Sequence, residues 1–80
     1  MKTIGKILHL ARSGRLIIQL RTIAFEGQII IDNQNTKIGR IMEIIGSVDK
    51  PYASVQPLMK ITKHHLGKEV GINNANNDSR

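Results

Sequence analysis

The chain has 80 residues, 40% of them apolar, with no cysteine and no tryptophan. That length admits a single core burying roughly 60–65% of the unfolded surface, and the missing cysteines exclude a disulfide framework and a thiolate zinc site. Twelve Lys/Arg against six Asp/Glu leave a net charge of +6, enough to attract nucleic acid or an acidic protein surface.

The first expected element is a strand over Ile4–Ala11, with Ile4, Leu8 and Leu10 on one face and Ile7 and Ala11 on the other. Ser13-Gly14 then turns the chain into a second apolar run, Leu16–Leu20, which is a hairpin signal. A third run, Ile29–Ile31, follows Glu26-Gly27 and ends at Asp32-Asn33-Gln34-Asn35, residues whose side chains bond to nearby backbone in turns. Residues 38–46 fit two periods. Ile38, Ile41, Met42 and Ile45 match a helix, whereas Ile38, Arg40, Met42 and Ile44 share one face of a strand. The β-branched content and the short span between Gly39 and Gly46 favour the strand. After a loop over Ser47–Lys50, Tyr52–Val55 reads as a further strand, Pro57 belongs at a strand end or edge, and Leu58–Ile61 is a candidate last strand. The polar, Asn-rich stretch beyond about Gly71 cannot offset its ordering entropy and is expected to be disordered. The resulting class is all-β: five or six short strands closed into a small barrel over residues 1–62, followed by a flexible polar tail over 63–80.

No apolar run exceeds three residues, far short of the roughly 20 that span a bilayer. A secretory leader pattern is also missing. A soluble, cytoplasmic protein is the expectation. Catalytic signals are equally sparse. His9 lies mid-strand between Leu8 and Leu10, and the adjacent His64 and His65 would point to opposite faces of an extended segment. The six acids occur singly, Ser13 and Ser47 lie in turns without a histidine nearby, and no glycine-rich phosphate loop occurs. Neither an enzyme nor a metal, cofactor or small-molecule site is expected.

The basic excess sits in the first third, where Lys2, Lys6, Arg12, Arg15 and Arg21 meet no acid. Lys6, Arg12, Arg15, Arg21 and Arg40 are therefore the candidate contacts to RNA or to an acidic surface. The only aromatics, Phe25 and Tyr52, are too few and too far apart for base stacking, so phosphate attraction is supported and sequence readout is not.

The stretch Lys37-Ile38-Gly39-Arg40-Ile41-Met42-Glu43-Ile44-Ile45-Gly46-Ser47-Val48, followed by Pro51-Tyr52-Ala53-Ser54-Val55-Gln56-Pro57, closely resembles the signature of the archaeal GAR-type subunit of H/ACA ribonucleoproteins. The resemblance extends to Gly5-Lys6-Ile7-Leu8-His9, Ser13-Gly14-Arg15-Leu16-Ile17 and Gly27, covering about residues 4–58. Ser47 departs from the family's usual proline and Gln56 from its usual basic residue. PRC-type barrels show similar Ile-Gly-Arg runs, so the run alone is a weak signal; its combination with Gly46-Ser47-Val48 and Pro51-Tyr52 at this spacing is considerably stronger.

The resemblance implies a six-stranded barrel of the translation-protein or reductase-isomerase-elongation-factor type. It implies a non-catalytic subunit of a guide ribonucleoprotein for rRNA pseudouridylation. That subunit docks on the catalytic domain of a dyskerin-like synthase and tunes substrate loading and product release. The implied docking residues are Ile44, Ile45, Gly46, Val48, Pro51 and Tyr52. The residues themselves leave two readings of this segment: Val48 and Tyr52 are anchors for a partner, or Val48 caps the barrel and Tyr52 fills its core. The rival functions are a free-standing basic RNA-binding barrel and a PRC-type barrel assisting ribosome maturation.

Overall fold

In the computed structural model, which describes residues 1–73, alternating apolar runs with Gly- and Asn-bearing turns produce six antiparallel strands. They are β1 (Lys2–Leu10), β2 (Leu16–Leu20), β3 (Ile29–Ile31), β4 (Lys37–Gly46), β5 (Pro51–Pro57) and β6 (Glu69–Ile72). The sheet closes in the order β1-β2-β5-β4-β3-β6. Closure leaves the barrel no long free edge along its body.

The core is aliphatic. Ile4, Ile7, Leu16, Ile18, Ile30, Ile38, Ile41, Val55 and Val70 are almost fully buried. The register shows how strands share it: Ile7, Ile18 and Ala53 form one cross-strand row of the core, which continues beyond it to the exposed Ile44. Outside lie the rows Lys6–Gln19–Tyr52–Ile45 and His9–Ile17–Ser54–Glu43. Gly39 is a sterically required position of this wall. A Cβ there would come within 2.5 Å of Val55 Cγ1 and 2.7 Å of the Gln56 carbonyl oxygen.

Four register shifts re-aim side chains, leaving Ile4 and Leu8 in β1 and Ile38 and Met42 in β4 as extra residues. Such bulges break strict alternation. The expected faces of the first strand are corrected accordingly: Ile4 and Ile7 both point inward, while Leu10 is exposed. In β4 the core takes Ile38 and Ile41, and Met42 is exposed.

The barrel also extends further than residue 62. Leu58–Ile61 is not a strand; the last strand is Glu69–Ile72, pairing with β1 along its length and with β3 at Ile31–Gly71. With only Val70 and Ile72 as apolar residues, this segment is too polar to read as a strand locally. Its pairing with two distant strands forms it. Gly71 and Ile72 are therefore strand residues, and the rest of the expected disorder, residues 74–80, lies outside the described residues.

Ring order dictates what covers the barrel's two mouths. β2 and β3 stand three places apart in a ring of six, as do β5 and β6, so both connections must cross the barrel. Residues 21–28 cross one mouth and bury Ala24 in the core. Residues 58–68 cross the opposite mouth, with Met59 and Ile61 packed on the core. This second crossing contains a single 3-10 turn, Lys63–His65, capped by Thr62. The histidine pair is thus not on an extended segment: Thr62 Oγ1 accepts from the His64 amide at 3.3 Å, and His65 Nδ1 accepts from the Thr62 amide at 3.0 Å. His9 is an exposed strand residue.

Candidate protein-docking hairpin

Strands β4 and β5 run past the barrel as a hairpin, paired from Gly39–Pro57 to Gly46–Pro51. From Met42 to Lys50 every residue is exposed. The Met42 bulge carries the reason: its extra residue puts Ile44, rather than Glu43, on the inward row opposite Ala53. Ile45 consequently faces outward, opposite Tyr52. Both faces of the projecting hairpin are apolar.

The tip is tightly built. Gly46 has φ +93°, and a Cβ there would approach the Lys50 carbonyl oxygen to 2.6 Å and Tyr52 Cδ2 to 3.1 Å. Only glycine suits that conformation and clearance. Across the four-residue loop, the Lys50 amide donates to Ser47 Oγ at 3.1 Å. Ser47 thereby closes the turn by a side-chain hydrogen bond at the position where the resembling family has proline. Val48 projects from the loop with 96% of its surface exposed. Tyr52 is half-buried on the outer wall and outside the core cluster. The alternative in which Val48 caps the barrel and Tyr52 fills its core does not hold.

A groove of about 660 Å³ separates the tip from the crossing segment, lined by Leu20, Arg21, Thr22, Ile23, Ala24, Ile44, Val48, Asp49 and Pro51. Ile44, Val48 and Pro51 thus converge on one cavity, while Ile45 and Tyr52 lie on the other side of the hairpin. Ile23 (74% exposed) and Phe25 (62% exposed) add apolar surface from the crossing segment. Sequence reading passed over these two, because Ile23-Ala24-Phe25 lies between strands. The available signal was an apolar triplet in a stretch where a loop should be polar. Exposed large apolar side chains are concentrated at this end, with Leu10, Leu58 and Leu66 exposed at the other, and such contiguous apolar surface is typical of interaction sites.

No protein-family model matches the sequence. It is 28% identical over 71 residues to an uncharacterized protein of Methanothermobacter thermautotrophicus, spanning 89% of this chain and 77% of the relative. An archaeal relative thus exists.

The basic candidates do not come together. Lys6 lies on the side wall between Gln19 and Glu69, and Arg21 pairs with Glu69 at 2.6 Å. Arg40 is exposed opposite Gln56. Arg12 and Arg15 occupy the β1–β2 turn, where Arg15 Nη1 donates to Ser54 Oγ at 3.3 Å. Among the described residues, no group of three or more His, Cys, Asp or Glu is placed to hold a metal ion. Nor is any helix there long and apolar enough to cross a membrane.

Asp32 has a distinct electrostatic setting. Its Oδ1 accepts from the amides of Thr36 and Gln34, both at 2.9 Å. The Thr36 amide chiefly holds this carboxyl below its ordinary pKa, opposed next by desolvation and helped by Gln34, Lys68 and His65. Its role is structural: it closes the β3–β4 turn, where Asn35 adopts φ 67°.

Proposed function

We propose that this chain is a non-catalytic subunit of an H/ACA-type guide ribonucleoprotein for RNA pseudouridylation, acting in rRNA processing. It docks through the β4–β5 hairpin on the catalytic domain of a dyskerin-like pseudouridine synthase. The observation that carries the reading is Val48, an aliphatic side chain 96% exposed at the end of a hairpin whose Ile44, Ile45, Pro51 and Tyr52 form the residue set implied by the 37–57 signature. Partner burial would remove apolar area at about 25 cal/mol per Å². Aromatic and aliphatic anchors of this kind dominate interface energetics.

The mechanism suited to such a subunit is gating: a bound barrel biases a substrate-covering element of the synthase between open and closed positions, and so sets release rather than chemistry. Multiple-turnover pseudouridylation by the guide complex, with and without this protein, tests it. The expected result is a faster multiple-turnover rate with an unchanged single-turnover rate. Equal multiple-turnover rates would remove the gating role.

A further inference from the structure

Strand direction separates the surface into two chemically different poles. β2 delivers residues 21–28, and β4 delivers the hairpin tip, to the same end of the barrel. The opposite end carries the β1–β2 turn, the β3–β4 turn and the 58–68 crossing. That end gathers Arg12 and Arg15 from the first turn, Lys37 at the start of β4, and Lys60, Lys63 and Lys68 from the crossing. Against these six cations stands one acid of the turns and crossing, Asp32. Its carboxylate is engaged by its own turn amides and lies within the field of Lys68 and His65. Glu69, which opens β6, is taken by Arg21. The acids Glu26 and Asp49 lie toward the hairpin end, as do Phe25 and Tyr52, while Glu43 sits on the side wall opposite Ser54.

We infer that the pole opposite the hairpin binds the phosphate backbone of single-stranded RNA, independently of its sequence. This segregation of charge is present whether or not the hairpin docks on a synthase. The cations come from three separated parts of the chain, and folding concentrates them at one mouth, where Asp32 is the one acid of the turns and crossing. With neither Phe nor Tyr here, and only the imidazoles of His64 and His65 on one short turn, this pole has no extended stacking platform, so contact is chiefly to phosphates rather than bases. A concentrated field of one sign also speeds encounter with a polyanion. The same charge suits an acidic protein. RNA is favoured because the hairpin pole already supplies the anchors typical of protein interfaces, and the cationic pole has none of the aromatic ones.

Titration of the full-length protein into a fluorescein-labelled, unstructured 20-nucleotide uridine-rich RNA, followed by anisotropy between 50 and 200 mM salt, tests the inference. If about four cations engage phosphates, log K falls against log salt with a slope of about −3, a loss of about 60-fold across that range. K60E/K63E is expected to weaken binding more than tenfold at the lowest salt and to reduce the slope by about 1.4. K2E/K50E makes the same charge change at the other pole and is expected to alter affinity less than threefold. Should the Glu pair lower the melting temperature, K60Q/K63Q takes its place, with half the charge change and the same slope reduction. Equal weakening by the two pairs would reduce the effect to net charge and overturn the inference. So would undetectable binding at 50 mM salt. Competition by poly-glutamate as effective, charge for charge, as unlabelled RNA would replace RNA with an acidic protein as the partner.

Discussion

Replacing Gly46 by alanine separates the shape of the hairpin from the stability of the barrel. The residue sits at φ +93°, where a side chain costs about 1–2 kcal/mol from the left-handed conformation alone. The added Cβ would also lie 2.6 Å from the Lys50 carbonyl oxygen and 3.1 Å from Tyr52 Cδ2, so the loop must open as well. That opening has a ceiling. Residues 42–50 are all exposed and none belongs to the core cluster, so the tip deforms without uncovering core surface. The expected total is about 1–3 kcal/mol, and at about 4–8 °C per kcal/mol for a domain of this size the melting temperature drops by about 5–20 °C. Urea unfolding should show a lower midpoint with an unchanged m-value, since the surface exposed on unfolding is the same. An unchanged midpoint would mean that the tip does not need glycine geometry. A loss of cooperative unfolding would mean that the tip is part of the barrel's core structure.

Other consequences follow from the same geometry. Ile18 is fully buried, and Ile18→Ala should cost about 2–5 kcal/mol in urea unfolding, a large fraction of the stability of an 80-residue domain. Arg21 and Glu69 pair at 2.6 Å, but their side chains are 55% and 58% exposed. A double-mutant cycle should therefore return only about 0.2–1 kcal/mol, shrinking as salt is raised. Asp32 has a folded pKa below its unfolded value, mainly through the Thr36 amide. Its stabilisation is complete above the unfolded pKa and is lost as pH falls through the folded one. Urea midpoints taken from pH 6 down to pH 2 should thus fall more steeply for the native chain than for Asp32→Asn.

Those parts of the fold that depend on local pattern are legible in the chain. Leu16–Leu20 and Ile29–Ile31 are bounded as expected because each is a compact apolar run between turn formers. The Lys37–Gly46 segment is a strand, since β-branched residues between two glycines cannot extend into a helix of useful length. Long-range pairing is what single-chain pattern misses. Val70 becomes fully buried only because β6 meets β1 and β3. The bulges at Ile4, Leu8 and Met42 appear only in the cross-strand pairing, and each reverses the facing expected from alternation downstream of it.

The site divides in the same way. Val48, Pro51 and Tyr52 are visible as apolar residues in and beside a loop, whereas the contribution of Ile23 and Phe25 depends on which mouth residues 21–28 cross. The acid-free first third, read as one basic patch, is dispersed over side walls and both ends. The concentrated cationic pole includes Lys37, Lys60, Lys63 and Lys68, which lie where charges balance or nearly balance along the chain. Charge density on a surface is a property of topology, and a linear count averages it away.

The most direct test of docking is calorimetric titration of the catalytic domain of a dyskerin-like pseudouridine synthase with the native protein and with Val48→Asp. Val48 lies outside the core cluster and is 96% exposed, so the substitution leaves the barrel intact while placing a charge where an apolar contact would form. The expected result is saturable binding by the native chain and a loss of at least a hundredfold, about 2.7 kcal/mol or more, for Val48→Asp. Equal affinities for the two proteins, or no binding by the native chain, would contradict docking through the hairpin.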